Sequence, residues 1–144
     1  FSPNIYRRIV KPRQKKLVQY IRSNTKAKIW YHTCGSCIEY IPDLIDNGID
    51  ILDPVQTSAK NMDPEKLKSN FGDKLVFWGG GCDAQHILPR GTPDEVAKNV
   101  REHISTFKPG GGYVFNNVHN IQADVPPENI IALFDTAYQY GFYE

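Results

Sequence analysis

The chain has 144 residues, 40% of them hydrophobic and 23% charged, with a formal net charge of +1. That is the size and composition of one folded domain with a buried core, and it excludes both a disordered tail and a whole-chain case for nucleic acid. With no apolar run of about 18 residues and no signal-peptide pattern, the reading is a soluble, cytoplasmic protein without membrane contact.

Ser2-Pro3 opens a helix to about Ser23, with Ile5, Ile9, Leu17, Val18 and Ile21 as its inner face and Pro12 expected to kink or divide it. Its basic residues, among them Arg7, Arg8, Lys11, Arg13, Lys15, Lys16 and Arg22, read as a solvated outer face. The chain starts at Phe1, without methionine and inside this helix, so a piece of a longer protein is expected. Residues 27–31 read as the first strand, followed by a helix from about Ser36 to Asn47 with Gly48 at its C-cap. A second strand spans 49–52, and Asp63-Pro64 caps a helix that Gly72 ends. The third strand spans 74–78. Thr92-Pro93-Asp94-Glu95 is a capping box opening a helix to about Lys108. Pro109 and Gly110 to Gly112 break it, residues 113–115 form the fourth strand, and Pro126-Pro127-Glu128 starts a last helix ending near Gly141.

The alternation places one α/β domain over residues 1–144, with parallel strands joined by helical crossovers. An open doubly wound sheet and a barrel both satisfy it. Four strands cannot close an eight-stranded barrel, so barrel material here is a half-barrel whose two edges need a partner. An amino-terminal half or a second copy of this chain would serve.

Each expected strand runs into a polar or sulfur-bearing cluster. These are His32-Thr33-Cys34-Gly35-Ser36-Cys37, Asp53-Pro54-Val55-Gln56, Gly79-Gly80-Gly81-Cys82-Asp83-Ala84-Gln85, and Asn116-Asn117-Val118-His119-Asn120-Ile121-Gln122. Chemistry at the carboxyl ends of successive strands is the layout of a (β/α) barrel enzyme. His32 and Cys34 are soft enough for zinc, and Cys82 and His119 would complete a ligand set from separate loops; a core histidine and buried thiols are the bland alternative. The aspartates Asp53 and Asp83 and the amides Gln56, Gln85, Asn117 and Gln122 suit substrate contacts, with loop capping as the alternative for the aspartates. His119 also suits a general acid or base. Three cysteines, two of them in the first cluster, point to metal or thiol chemistry in a reducing compartment. Cys34-Gly35-Ser36-Cys37 permits a redox pair if a helix starts at once. The glycine runs match neither a dinucleotide fingerprint nor a P-loop.

Several blocks resemble the carboxyl-terminal half of the uroporphyrinogen decarboxylase superfamily. They are Tyr31-His32-Thr33-Cys34-Gly35-Ser36, Asp50-Ile51-Leu52-Asp53-Pro54-Val55-Gln56, Trp78 through Gln85, Leu88 through Pro93, and Val118-His119-Asn120-Ile121-Gln122 leading to Pro126-Pro127-Glu128-Asn129-Ile130. The resemblance implies a TIM-type barrel in which these are strands 5 to 8 and the amino-terminal half is absent. It implies two chemistries. Corrinoid-linked methyltransferases move a methyl group between a corrinoid protein and a thiol or folate acceptor, and thiol-directed members hold zinc through His-x-Cys and a later cysteine. His32 and Cys34 match the first two; the later cysteine falls at or next to His119, leaving His119 or Cys82 as third ligand. Decarboxylases act on a tetrapyrrole carboxylate without a cofactor, and their late histidine matches His119. The His-x-Cys-Gly-Ser block favours the methyltransferase branch, with His119, Asp83 and Asp53 catalytic and Gln56, Gln85, Asn117 and Gln122 on substrate. A non-catalytic half-barrel and a thiol-redox protein complete the alternatives.

Overall fold

The computed structural model describes residues 2–143; Phe1, expected within the first helix, lies outside them. Helix α1 (Pro3–Ile5), a π turn (Tyr6–Val10) and α2 (Lys11–Asn24) run on without interruption. The division expected at Pro12 takes the form of this π turn, in which the Lys11 amide donates five residues back to Tyr6. Pro12 has no N–H to offer and its ring crowds the preceding turn, so a wider turn just before it relieves the crowding.

The basic face of this helix is solvated, and four of its residues also form ion pairs. Arg7 and Lys11 grip Asp43 at 2.7 and 2.8 Å, Lys15 reaches Asp46, and Arg22 reaches Asp50 at 2.8 Å. These carboxylates lie on α3 (Ile41–Asn47) and just after it. Helix α3 begins about five residues later than expected because the Cys37 carbonyl first accepts the amides of Tyr40 and Ile41 in a tight turn. Gly48, at φ 89°, closes it in the left-handed conformation that glycine adopts most readily.

Strands β1 (Trp30–His32), β2 (Ile51–Asp53), β3 (Val76–Trp78) and β4 (Tyr113–Val114) form one parallel sheet in the order β1-β2-β3-β4. Helices α4 (Pro64–Phe71), α5 (Pro93–Phe107) and α6 (Pro127–Tyr140) supply the remaining crossovers and the final layer. Asp63 caps α4 and the Thr92–Glu95 capping box opens α5, as their residue types require. A doubly wound sheet reverses its strand order at a switch point. Here every crossover advances one strand in the same direction, which is the order of a (β/α) half-barrel.

The sheet is also curled. Three strand steps of ~4.8 Å would separate β1 from β4 by ~14 Å in a flat sheet. Yet the rings of His32, on β1, and His119, beyond β4, have centroids 6.2 Å apart. Trp30 and Trp78, two strands apart, approach to the same 6.2 Å. Behind the sheet, Leu52, Phe77, Ile41, Leu44 and Leu67 form one buried cluster, and Leu88, Val96, Val100 and Leu133 form a second around α5 and α6. Phe107 stacks on Tyr113 at 5.2 Å between them. Among the described residues no helix is long and apolar enough to cross a membrane.

Burial works against the charge of Asp43, but Lys11 and Arg7 outweigh it and hold its carboxyl below the ordinary 3.8. A lowered folded pKa stabilises above the unfolded value and is lost as pH falls through the folded one. Replacing Asp43 by Asn should therefore lower the unfolding free energy by about 1–2 kcal/mol at neutral pH. Urea unfolding should show the gap from wild type closing below about pH 4.

Candidate metal centre

The short strands and their register decide what faces the open end of the sheet. His32 pairs with Asp53 across β1 and β2, and the Thr33 amide donates to the Asp53 carbonyl at 2.6 Å. In that register the buried Asp53 carboxylate accepts the Nδ1–H of His32 at 2.6 Å. The imidazole is then left with Nε2 as its acceptor, and Cys34 Sγ lies 3.3 Å from it. Gly35, at φ 81°, turns the chain immediately after Cys34, and its amide donates to Gln56 Oε1 at 2.8 Å.

From the far side of the sheet, the loop after β4 delivers His119. Asn117, buried at its base, donates from Nδ2 to the His119 carbonyl at 2.9 Å. Ligand atoms of His32, Cys34 and His119 all lie within 4.8 Å of one another, and the three side chains are exposed. Two imidazoles and one thiol are a donor set that suits zinc, with three protein ligands leaving a fourth position open. A cavity of about 490 Å³ lies beside them, with Trp30, Asp53, Asn117, Ile121 and Phe134 among its walls.

The other residues singled out from the sequence do different work. Cys82 is fully buried in the core cluster around α5 and does not belong to the group formed by His32, Cys34 and His119. Burial pushes its thiol up to about 12, as expected of a thiol packed among apolar side chains. Asp83 turns back on its own loop, accepting from the amides of Gln85 and His86 and from His86 Nδ1 at 2.9 Å. That is the capping role weighed for it in the sequence. Gln85 accepts from Ser58 Oγ, and Gln122 donates to the Asn120 carbonyl within its loop. Cys37 is buried, donates to Met62 Sδ at 3.9 Å, and is pushed up to about 11 by burial. Helix α3 starts four residues beyond it, so neither thiol of the Cys-x-x-Cys run gains a helix N-terminus.

Sequence reasoning gave no role to two groups, one at the site and one beneath the loop after β3. The Gly35 amide had no side-chain signature. His103, buried in the middle of α5, has Nδ1 2.6 Å from the Gly80 carbonyl and so braces the turn after β3. Burial lowers its pKa and keeps it neutral there. Its helical spacing made it look like any other core position.

A four-stranded (β/α) half-barrel with a His/Cys/His cluster at its strand ends defines a class of barrel proteins whose chemistry sits on the strand-end loops. The family model described as uroporphyrinogen decarboxylase (URO-D) matches residues 1–140, and the chain belongs to that family. A uroporphyrinogen decarboxylase of Pseudoalteromonas atlantica is 31% identical over 80 residues, which are 56% of this chain and 22% of that protein. One from Psychromonas ingrahamii is 29% identical over 101 residues, 70% of this chain and 27% of its own. The chain therefore spans about a quarter of the length of these curated relatives. A methyltransferase from Methanosarcina mazei shares the fold at a TM-score of 0.74 and 21% identity, over 99% of this chain and 39% of that one.

Exposure and burial separate the three free thiols. Brief iodoacetamide treatment of native protein at pH 8 should alkylate Cys34 alone, read by peptide mass spectrometry. Cys37 and Cys82 should react only on unfolding. Because both folded pKa values stand above the ordinary 9.0, the unfolded thiols ionise first, and stability should fall as pH rises past 9.

Proposed function

We propose that this chain is the carboxyl-terminal half-barrel of a methyltransferase that moves a methyl group between a corrinoid protein and a thiol or folate acceptor. The observation that carries this reading is the convergence of His32, Cys34 and His119 on one point beside a cavity. His32, Cys34 and His119 would hold a zinc ion. Bound there, zinc would supply Lewis acidity that keeps an acceptor thiol ionised at neutral pH. Asp53 accepts the Nδ1 proton of His32, Trp30 and Phe134 form apolar walls of the cavity, and Asn117 anchors the loop that brings His119. The methyl-bearing corrinoid would arrive on a partner protein, and the amino-terminal half of the barrel or a second copy of this chain would cover the open edges.

Decarboxylation of a tetrapyrrole carboxylate is the second reading, favoured by the names of the curated relatives. Against it, none of the residues lining the cavity is Arg or Lys. Arg90, the cation nearest the strand ends in the sequence, lines a separate cleft with Glu95 and Glu102. A substrate carrying several carboxylates needs cations to replace its lost hydration.

Metal analysis of the complete, reduced protein should give close to one zinc per chain, lost in His32→Ala and Cys34→Ala and retained in Cys82→Ala. Methyl transfer from methylcobalamin to a simple thiol should fall at least about 100-fold in the first two variants. A zinc-free wild type that releases CO2 from uroporphyrinogen would reverse the choice.

A further inference from the structure

We infer that the carboxyl end of β2 and the loop after it are the template of the centre, with Asp53 and Gln56 acting as positioning residues that set His32 and the Cys34–Gly35 backbone before a metal arrives. The inference rests on the metal reading above and deepens it. Three contacts run from this one segment, Asp53 to Gln56, to the His32–Gly35 segment: the Asp53 carbonyl to the Thr33 amide, the Asp53 carboxylate to His32 Nδ1, and Gln56 Oε1 to the Gly35 amide. Ser36 adds a fourth tie further along the same connection, donating to the Lys60 carbonyl at 2.6 Å.

Each contact has a distinct consequence. An imidazole held by a carboxylate at Nδ1 keeps its proton there and aims the Nε2 lone pair outward; released, it would populate both tautomers and rotate. Asp53 is 5% exposed, so its own orientation is fixed by packing. Gln56 acts on the other ligand. By holding the peptide that follows Cys34, it fixes the direction of the Cys34 Cα–Cβ bond and so the 3.3 Å approach of Sγ to Nε2. The cavity at Gly35 is open, with nothing within 4 Å of an added Cβ, so glycine there answers to φ 81° and not to space.

The test uses the full chain, labelled with 15N-histidine for NMR without metal, and then titrated with Co2+. Wild-type His32 should show a single tautomer protonated at Nδ1. Asp53→Asn should keep it, since the amide oxygen still accepts, whereas Asp53→Ala should show mixed tautomers. Co2+ should bind about 10- to 100-fold more weakly to Asp53→Ala, with Asp53→Asn recovering most of the loss. Gln56→Ala should also weaken Co2+ binding while leaving the His32 tautomer alone, and Gln56→Glu should restore it. A wild-type His32 protonated at Nε2 overturns the inference, as does an Asp53→Ala protein with an unchanged tautomer. Failure of wild type to bind Co2+ would sink the metal reading by itself, and the metal-free tautomer comparison would still decide the role of Asp53.

Discussion

The curl of the sheet is the constraint on which the site depends. His32 and His119 come from opposite edges of a four-stranded sheet, and in a flat sheet ~14 Å would lie between those two strands. Because the strands twist and the sheet bends toward a barrel axis, the two edges lean over the same point and the imidazoles come within 6.2 Å. The helices pack on the sheet through two apolar clusters, and the polar loops gather at the carboxyl ends of the strands.

Within that frame, the division of labour among the loops follows from a simple requirement: buried or half-buried polar groups take partners. In the loop after β3 the partners of the Asp83 carboxylate are local. Asp83 accepts from two amides and an imidazole of its own turn, and the Asp83 amide donates to Asn99 on α5. At the end of β2 and in the loop after it the partners belong to β1 and its loop, so Asp53 and Gln56 organise residues other than their own. Two Asp-x-Gln-like clusters that look equivalent in sequence thus differ because one is placed by strand register against β1 and the other is capped by its own turn.

Trp30 on β1 and Phe134, Tyr138 and Phe142 at the α6 end are exposed apolar groups, and the chain covers 39% of the methyltransferase whose fold it shares. Ion pairs between α2 and α3 secure the β1 side of the sheet. There Arg7 and Lys11 meet a carboxylate shielded from water, where a charge-assisted hydrogen bond is stronger than at the surface.

The order of helices and strands, the caps at Asp63 and Thr92, the C-cap at Gly48 and the polar clusters at the strand ends were legible in the sequence, because capping chemistry and hydrophobic runs are local. So was the pairing of His32 with Cys34, two residues apart. Strand boundaries were less so: β1 starts at Trp30 and reaches His32, since a strand's ends are set by the ladder its neighbour offers. The later start of α3 escaped for a similar reason, a turn at Cys37 competing with the helix. The choice between His119 and Cys82 beside His32 and Cys34 belonged to the tertiary structure alone. Both follow a strand, and nothing in spacing separates them. Packing put Cys82 inside the α5–α6 core, and the curvature of the sheet carried His119 across to the opposite edge.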